Sequence, residues 1–246
     1  MTSPRVQRAA LVACALLVLA CGSPPEHTAP TLRTLRRGEG DGPVIVMLHG
    51  YGSRPEDFLA FSQRTDLPAG TRFIFPYAPE PTHPPVGPEG GYMWWHFPDV
   101  FSDPRHLRFE GLPLARTRVI QLLDALQEEL HIGSERIILG GFSQGAMLTM
   151  DVALHDARPL AGVMLLSGSL VDSEEWVPRM RSRRGLRVFQ AHGRRDEVLP
   201  FGPAEELHTR LQESGVDVRF LPFDGAHEVT AEVSAGVGTF IREVGE

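Results

Sequence analysis

The chain is predicted to fold as an α/β domain, a mostly parallel sheet covered by helices on both faces. Short apolar runs at 44–48, 72–75, 136–140, 162–166, 186–192 and 218–223 alternate with longer segments whose apolar residues recur at helical spacing. Such alternation builds a parallel sheet, because each crossover returns through a helix. The runs at 44–48 and 162–166 are apolar throughout, as strands buried on both faces are. The chain beyond residue 41, roughly 200 residues, is long enough for one domain with a sizeable core.

The elements follow in order. Arg5 and Arg8 precede an apolar run, 9–20, that ends at Cys21, and no acidic residue appears before Glu26. That pattern describes a secretory signal. The run is shorter than the roughly 20 residues of a spanning helix. Val18-Leu19-Ala20-Cys21 resembles a bacterial lipobox, in which the cysteine becomes the lipidated first residue. Residues 1–20 are therefore expected to be a signal peptide and Cys21 a lipidation site. The expected location is the bacterial cell envelope, membrane-anchored through that lipid, with the outer membrane favoured by Gly22. Plain secretion is the alternative. Cys14 and Cys21 are the two cysteines, so removal of 1–20 excludes an internal disulfide. Residues 21–41, with Pro24, Pro25, Pro30, Gly38 and Gly40 among Arg33, Arg36 and Arg37, read as a flexible tether. A catalytic domain is expected over 42–246.

Within it, 44–48 is a buried strand and His49-Gly50-Tyr51-Gly52 its glycine-rich exit. Residues 72–75 form a strand ended by Pro76. The stretch 80–116 is rich in Pro and Gly and excludes a long regular element. Val119, Leu122, Leu123, Leu126 and Leu130 mark one face of a helix closed by His131-Ile132-Gly133. Further helices are expected over 205–213 and 228–243.

The chemistry concentrates at Gly141-Phe142-Ser143-Gln144-Gly145. This G-x-S-x-G follows an apolar strand and opens a helical pattern, the context of a nucleophile elbow. A serine nucleophile needs a base and an orienter, in chain order Ser, Asp/Glu, His. Asp196 closes the turn after the strand 186–192, and His227 follows the strand 218–223. Both lie just past a strand's carboxyl end, where open α/β sheets place their sites. In this reading His227 takes the Ser143 proton and Asp196 fixes the imidazole tautomer. Glu197 and Asp172 are rival acids, and His192 is a rival base read as structural. The backbone N–H groups of Tyr51 and Gln144 are the expected oxyanion-hole donors. His49 reads as a brace for that loop. Trp94 and Trp95 are candidate substrate-binding residues, as lining of an acyl or aromatic pocket.

The set Leu48-His49-Gly50-Tyr51-Gly52, Gly141-Phe142-Ser143-Gln144-Gly145, Gly193 to Asp196 and Gly225-Ala226-His227-Glu228 resembles the phospholipase/carboxylesterase family, which includes acyl-protein thioesterases and small bacterial esterases. The resemblance implies an α/β-hydrolase fold and a serine hydrolase acting on esters or thioesters without cofactor. It also implies a Trp-bearing loop beside the site, and Tyr92-Met93-Trp94-Trp95-His96-Phe97 is its match here. The long 80–116 stretch departs from the family pattern. Nothing in it resembles a large lid, so the site is expected to be open.

A formal net charge of −7 argues against a nucleic-acid partner. No metal-ligand spacing of the H-E-x-x-H or C-x-x-C kind occurs, so no metal is expected. The expected partner is a small-molecule or lipid ester, of short to medium acyl chain or a lysophospholipid. A thioesterase or peptidase with the same triad is the enzymatic alternative, and a non-catalytic ligand-binding surface protein the other.

Overall fold

The computed structural model describes residues 32–64, 67–87, 89–97 and 103–245. The expected signal peptide and Cys21 lie outside them. Seven strands form the main sheet: β1 (Thr34–Arg37), β2 (Val44–Leu48), β3 (Arg72–Pro76), then β6 (Ile137–Phe142), β7 (Gly162–Leu166), β8 (Arg187–Gly193) and β9 (Asp217–Phe223). Between β3 and β6 the two short strands β4 (Glu80–Pro81) and β5 (Tyr92–Met93) pair as a separate hairpin. The order across the main sheet is β1-β3-β2-β6-β7-β8-β9, parallel except for the antiparallel edge strand β1.

The helices are α1 (Leu59–Arg64), α2 (Leu112–Leu130), α3 (Gln144–His155), α4 (Ser173–Met180), α5 (Phe201–Glu213) and α6 (Ala231–Val244). The period of two along each strand sorts them into two layers. Val44, Val46, Leu48, Leu139, Val163 and Leu165 point into a core shared with α2, α3, α4 and α5. Ile45, Met47, Ile138, Met164 and Phe189 point the other way, onto α1 and α6. Helix α3 is the central helix, buried along nearly its whole length. It carries Asp151, whose carboxylate is buried but paired with Arg116 at 3.0 Å and accepts from the Trp176 indole N–H at 3.0 Å. A buried charge is tolerated only with such partners.

The fold differs from expectation at the element ends. The tether expected through Asp41 stops sooner, because Thr34–Arg37 pairs with β3 from Thr34↔Pro76 to Arg37↔Phe73. Backbone pairing holds this segment despite its composition; its Arg36 pairs with Glu129, and the guanidinium of Arg33, just before it, lies 3.6 Å from the Tyr77 ring centroid. Helices α2 and α5 begin earlier than the apolar spacing alone suggests, each with a Pro in its first turns, where a missing N–H costs nothing. Helix α6 begins later, at Ala231, because the Thr230 side chain caps it by accepting the Val233 amide at 3.2 Å.

Candidate active site

Strand register brings the motif residues together. Leu48 pairs with Gly141, Phe142 with Leu166, and Gly193 with Phe223. The carboxyl ends of β2, β6, β8 and β9 therefore open onto one edge, and the turns carrying Tyr51, Ser143, Asp196 and His227 all leave from it.

Ser143 sits between β6 and α3 with φ 55° and ψ −119°. A non-glycine residue pays about 1–3 kcal/mol for such a backbone, which persists only when its surroundings over-determine it. The surroundings here are tight. A Cβ on Gly141 would overlap the Gly145 carbonyl, and one on Gly145 would overlap the Leu48 carbonyl. The Ser143 amide is held by the Leu166 carbonyl at 2.9 Å. The two glycines of G-x-S-x-G thus let strand, elbow and helix approach within backbone contact.

His227 and Asp196 meet directly, with imidazole Nδ1 2.7 Å from the Asp196 Oδ2. The other carboxylate oxygen accepts the amides of Val198 at 2.9 Å and Leu199 at 2.8 Å. Burial opposes the Asp196 charge most strongly. The hydrogen bonds from His227 and the Leu199 amide, with the nearby imidazoles, outweigh it and hold the carboxyl below its ordinary range. The rival acids lie elsewhere. Glu197 is exposed, and Asp172 stands before α4, 3.4 Å from Arg108. The rival base His192 is fully buried, and its Nε2–H donates to the Leu199 carbonyl at 2.8 Å, with Asp196 Oδ2 3.3 Å away. It braces the acid turn. Burial lowers its pKa, which favours the neutral ring.

The β2 exit is braced the same way. His49 is buried between two backbone groups: Nδ1–H donates to the Gly50 carbonyl at 2.8 Å, and Nε2 accepts the Ala78 amide at 3.1 Å. Those partners dictate a neutral tautomer, and burial pushes the His49 pKa down to about 4. In this turn the Gly52 amide goes to Tyr92 and the Ser53 amide to Gly50. Gln144 is the first residue of α3, and its amide is among those a helix leaves without an internal acceptor.

The Gln144 side chain has a role not foreseen from the motif. It is fully buried, accepts the Trp94 amide at 2.9 Å and donates to the Trp95 carbonyl at 2.8 Å. The Trp94 indole donates to the His49 carbonyl at 2.9 Å. One amide side chain and one indole thus staple the 92–97 loop to both backbone segments of the expected oxyanion hole. The expectation that Trp94 and Trp95 line the pocket is corrected by this packing. Both are buried in the core, Trp95 against Phe97 and Phe109 with centroids 6.0 and 5.5 Å away. Phe97, two residues on, borders the cavity instead.

That cavity has a volume of about 480 Å³, and Ser143 and His227 both open onto it. Its remaining wall is mostly apolar, from Tyr51, Phe97, Phe142, Val198 and Leu199. Tyr51 and Val198 stay exposed at its rim.

A strained serine elbow, a buried carboxylate paired with a partly exposed imidazole, and a mostly parallel sheet with helices on both faces together define an α/β-hydrolase. The chain matches the phospholipase/carboxylesterase family over residues 34–244, and it belongs to that family. It is a serine hydrolase of carboxylic esters or thioesters. It is 33% identical to acyl-protein thioesterase 1 of Eremothecium gossypii over 87% of this chain and 93% of that protein. It is 27% identical to the Debaryomyces hansenii protein of the same name, over 87% and 97%. Among solved structures, esterase PE8 superposes with a TM-score of 0.74 at 26% identity, over 87% of this chain and 98% of that one. The Bacillus cereus carboxylesterase shares the fold, with a TM-score of 0.66 at 18% identity over 87% and 94%.

These relatives correct the expected location. The similar acyl-protein thioesterases come from fungi, including Neurospora crassa and Schizosaccharomyces pombe; they are eukaryotic proteins, not bacterial envelope lipoproteins. The envelope reading rested on a lipobox-like stretch outside the described residues, whereas the likeness rests on the hydrolase domain. Among the described residues, no helix is long and apolar enough to cross a membrane.

Proposed function

We propose that Ser143 is the nucleophile, His227 the general base and Asp196 its orienter, in the hydrolysis of short- to medium-chain carboxylic esters. The observation that carries this is that the strained Ser143 elbow and His227, itself held by Asp196, open onto one mostly apolar cavity. Ser143 Oγ attacks the acyl carbonyl while His227 Nε2 takes its proton. Asp196 keeps the other imidazole proton on Nδ1 and stabilises the imidazolium. The amides of Tyr51 and Gln144 receive the tetrahedral oxyanion. Collapse breaks the bond to the leaving oxygen, which takes the proton from His227, and leaves an acyl-enzyme. Water, deprotonated by His227, then releases the acid and restores Ser143. The apolar wall of Tyr51, Phe97, Val198 and Leu199 takes the acyl chain.

The test is a panel of p-nitrophenyl esters of graded chain length, with the matching thioesters alongside. A fluorophosphonate should label Ser143 alone. Ser143→Ala should lose about 10⁶-fold in kcat, since triad members act as a unit. Labelling at another residue, or an active alanine variant, refutes the assignment. Turnover of thioesters with esters left intact would make the chain a thioesterase with the same triad.

A further inference from the structure

A second cavity, of about 310 Å³, adjoins the first and shares Ser53 and Phe142 with it. The Phe142 ring packs 4.8 Å from the His227 ring and 6.2 Å from the Phe58 ring, between centroids. Val229, two residues past His227, borders the second cavity. The two cavities differ in chemistry. The first is mostly apolar, with the shared Ser53 its one polar side chain, among the described residues, besides Tyr51 and the proposed reacting groups. The second sets Ser53, Asp57 and Ser234 over an aromatic floor of Phe58 and Phe61.

Acyl transfer needs two places, one for the acyl chain and one for the group that leaves. When the tetrahedral intermediate collapses, the carbon–oxygen bond breaks and the departing oxygen takes its proton from His227 Nε2. The leaving group therefore departs beside the imidazole, and the cavity behind Phe142 and Val229 adjoins it there. Its polar groups are mostly acceptors. An ionised carboxylate can only accept, and Asp57 has lone pairs beyond the one its Oδ2 gives the Arg54 amide at 2.8 Å. The Ser234 hydroxyl donates to the Thr230 carbonyl at 3.0 Å, so it too accepts toward the cavity. Such a site suits a ligand that brings hydroxyl donors on a short carbon skeleton, and the Asp57 charge disfavours an anionic one. We propose that this cavity is the leaving-group subsite, divided from the acyl cavity by Phe142, and that it takes a hydroxylated, uncharged alcohol of the glycerol type. The inference rests on the esterase reading above.

Ala60 borders the cavity and is exposed, so a larger side chain there fills space without a buried clash. The experiment compares 1-decanoylglycerol with ethyl decanoate, which share an acyl chain, on the full chain and on Ala60→Trp and Ala60→Leu. The wild type is expected to prefer the glycerol ester in kcat/KM by about tenfold. Ala60→Trp should cut that preference at least tenfold and Ala60→Leu by less, with fluorophosphonate labelling of Ser143 reporting an intact site. A preference for the ethyl ester in the wild type, or a selectivity ratio unmoved in both variants, overturns the subsite. Failure of the wild type on both esters and on the p-nitrophenyl panel overturns the esterase reading instead.

Discussion

Asp196→Asn is expected to lower kcat by about 10⁴-fold, or about 5.5 kcal/mol, while leaving the fold intact. The structure dictates how the amide must sit. Asp196 Oδ1 accepts two backbone amides, from Val198 and Leu199. An asparagine must keep its oxygen there, since turning its NH₂ toward two N–H donors would leave all of them unsatisfied. The NH₂ then occupies the Oδ2 position, 2.7 Å from His227 Nδ1. Two donors cannot face each other, so Nδ1 must present its lone pair and the ring proton moves to Nε2. In the proposed mechanism that nitrogen accepts the Ser143 proton, so the base is present in the wrong tautomer. The assay is steady-state hydrolysis of a p-nitrophenyl ester, with circular dichroism and a urea melt as fold controls. Glu197→Gln, on an exposed side chain beside Asp196, should stay within about threefold of wild type, because Asp196 and not Glu197 holds the His227 tautomer. A folded Asp196→Asn enzyme with more than about a tenth of wild-type kcat would refute this account, because the tautomer argument allows no such activity.

Two further outcomes follow from buried groups around the site. Gln144→Ala should cost about 2–4 kcal/mol in urea unfolding, because it leaves the Trp94 amide and Trp95 carbonyl buried without a partner, and a cost under about 0.5 kcal/mol would show that the staple contributes nothing. His49 is depressed to about 4, against about 6.5 in the unfolded chain, so between those values the unfolded state binds a proton that the folded state refuses. Stability should therefore fall as pH drops from about 6.5 to about 4, by about 3 kcal/mol from this residue. Melting curves of wild type and His49→Gln across that window should diverge, and parallel slopes would rule out the buried neutral His49.

The candidate triad was legible in the chain because the proposed reaction demands residue types at set places. Ser143 is flagged by its glycines, which the backbone contacts at Gly141 and Gly145 require. Asp196 and His227 are flagged by turns that end strands, and strand ends are readable from apolar runs. The parallel sheet was legible for the same reason: strands buried on both faces are apolar throughout, as Val44–Leu48 is. Packing was not legible, since it depends on contacts far apart in sequence. Nothing local distinguishes a tryptophan that lines a pocket from one that fills the core, and Trp94 became core only through Gln144 and His49, 50 and 45 residues away. The β1 strand was hidden because its pairing partner, not its own composition, orders it. The second cavity behind Phe142 exists only where α1, the β6 exit and α6 converge. Composition and spacing point to the groups proposed to react; long-range contact alone decided which side chains border the cavity and which hold the frame.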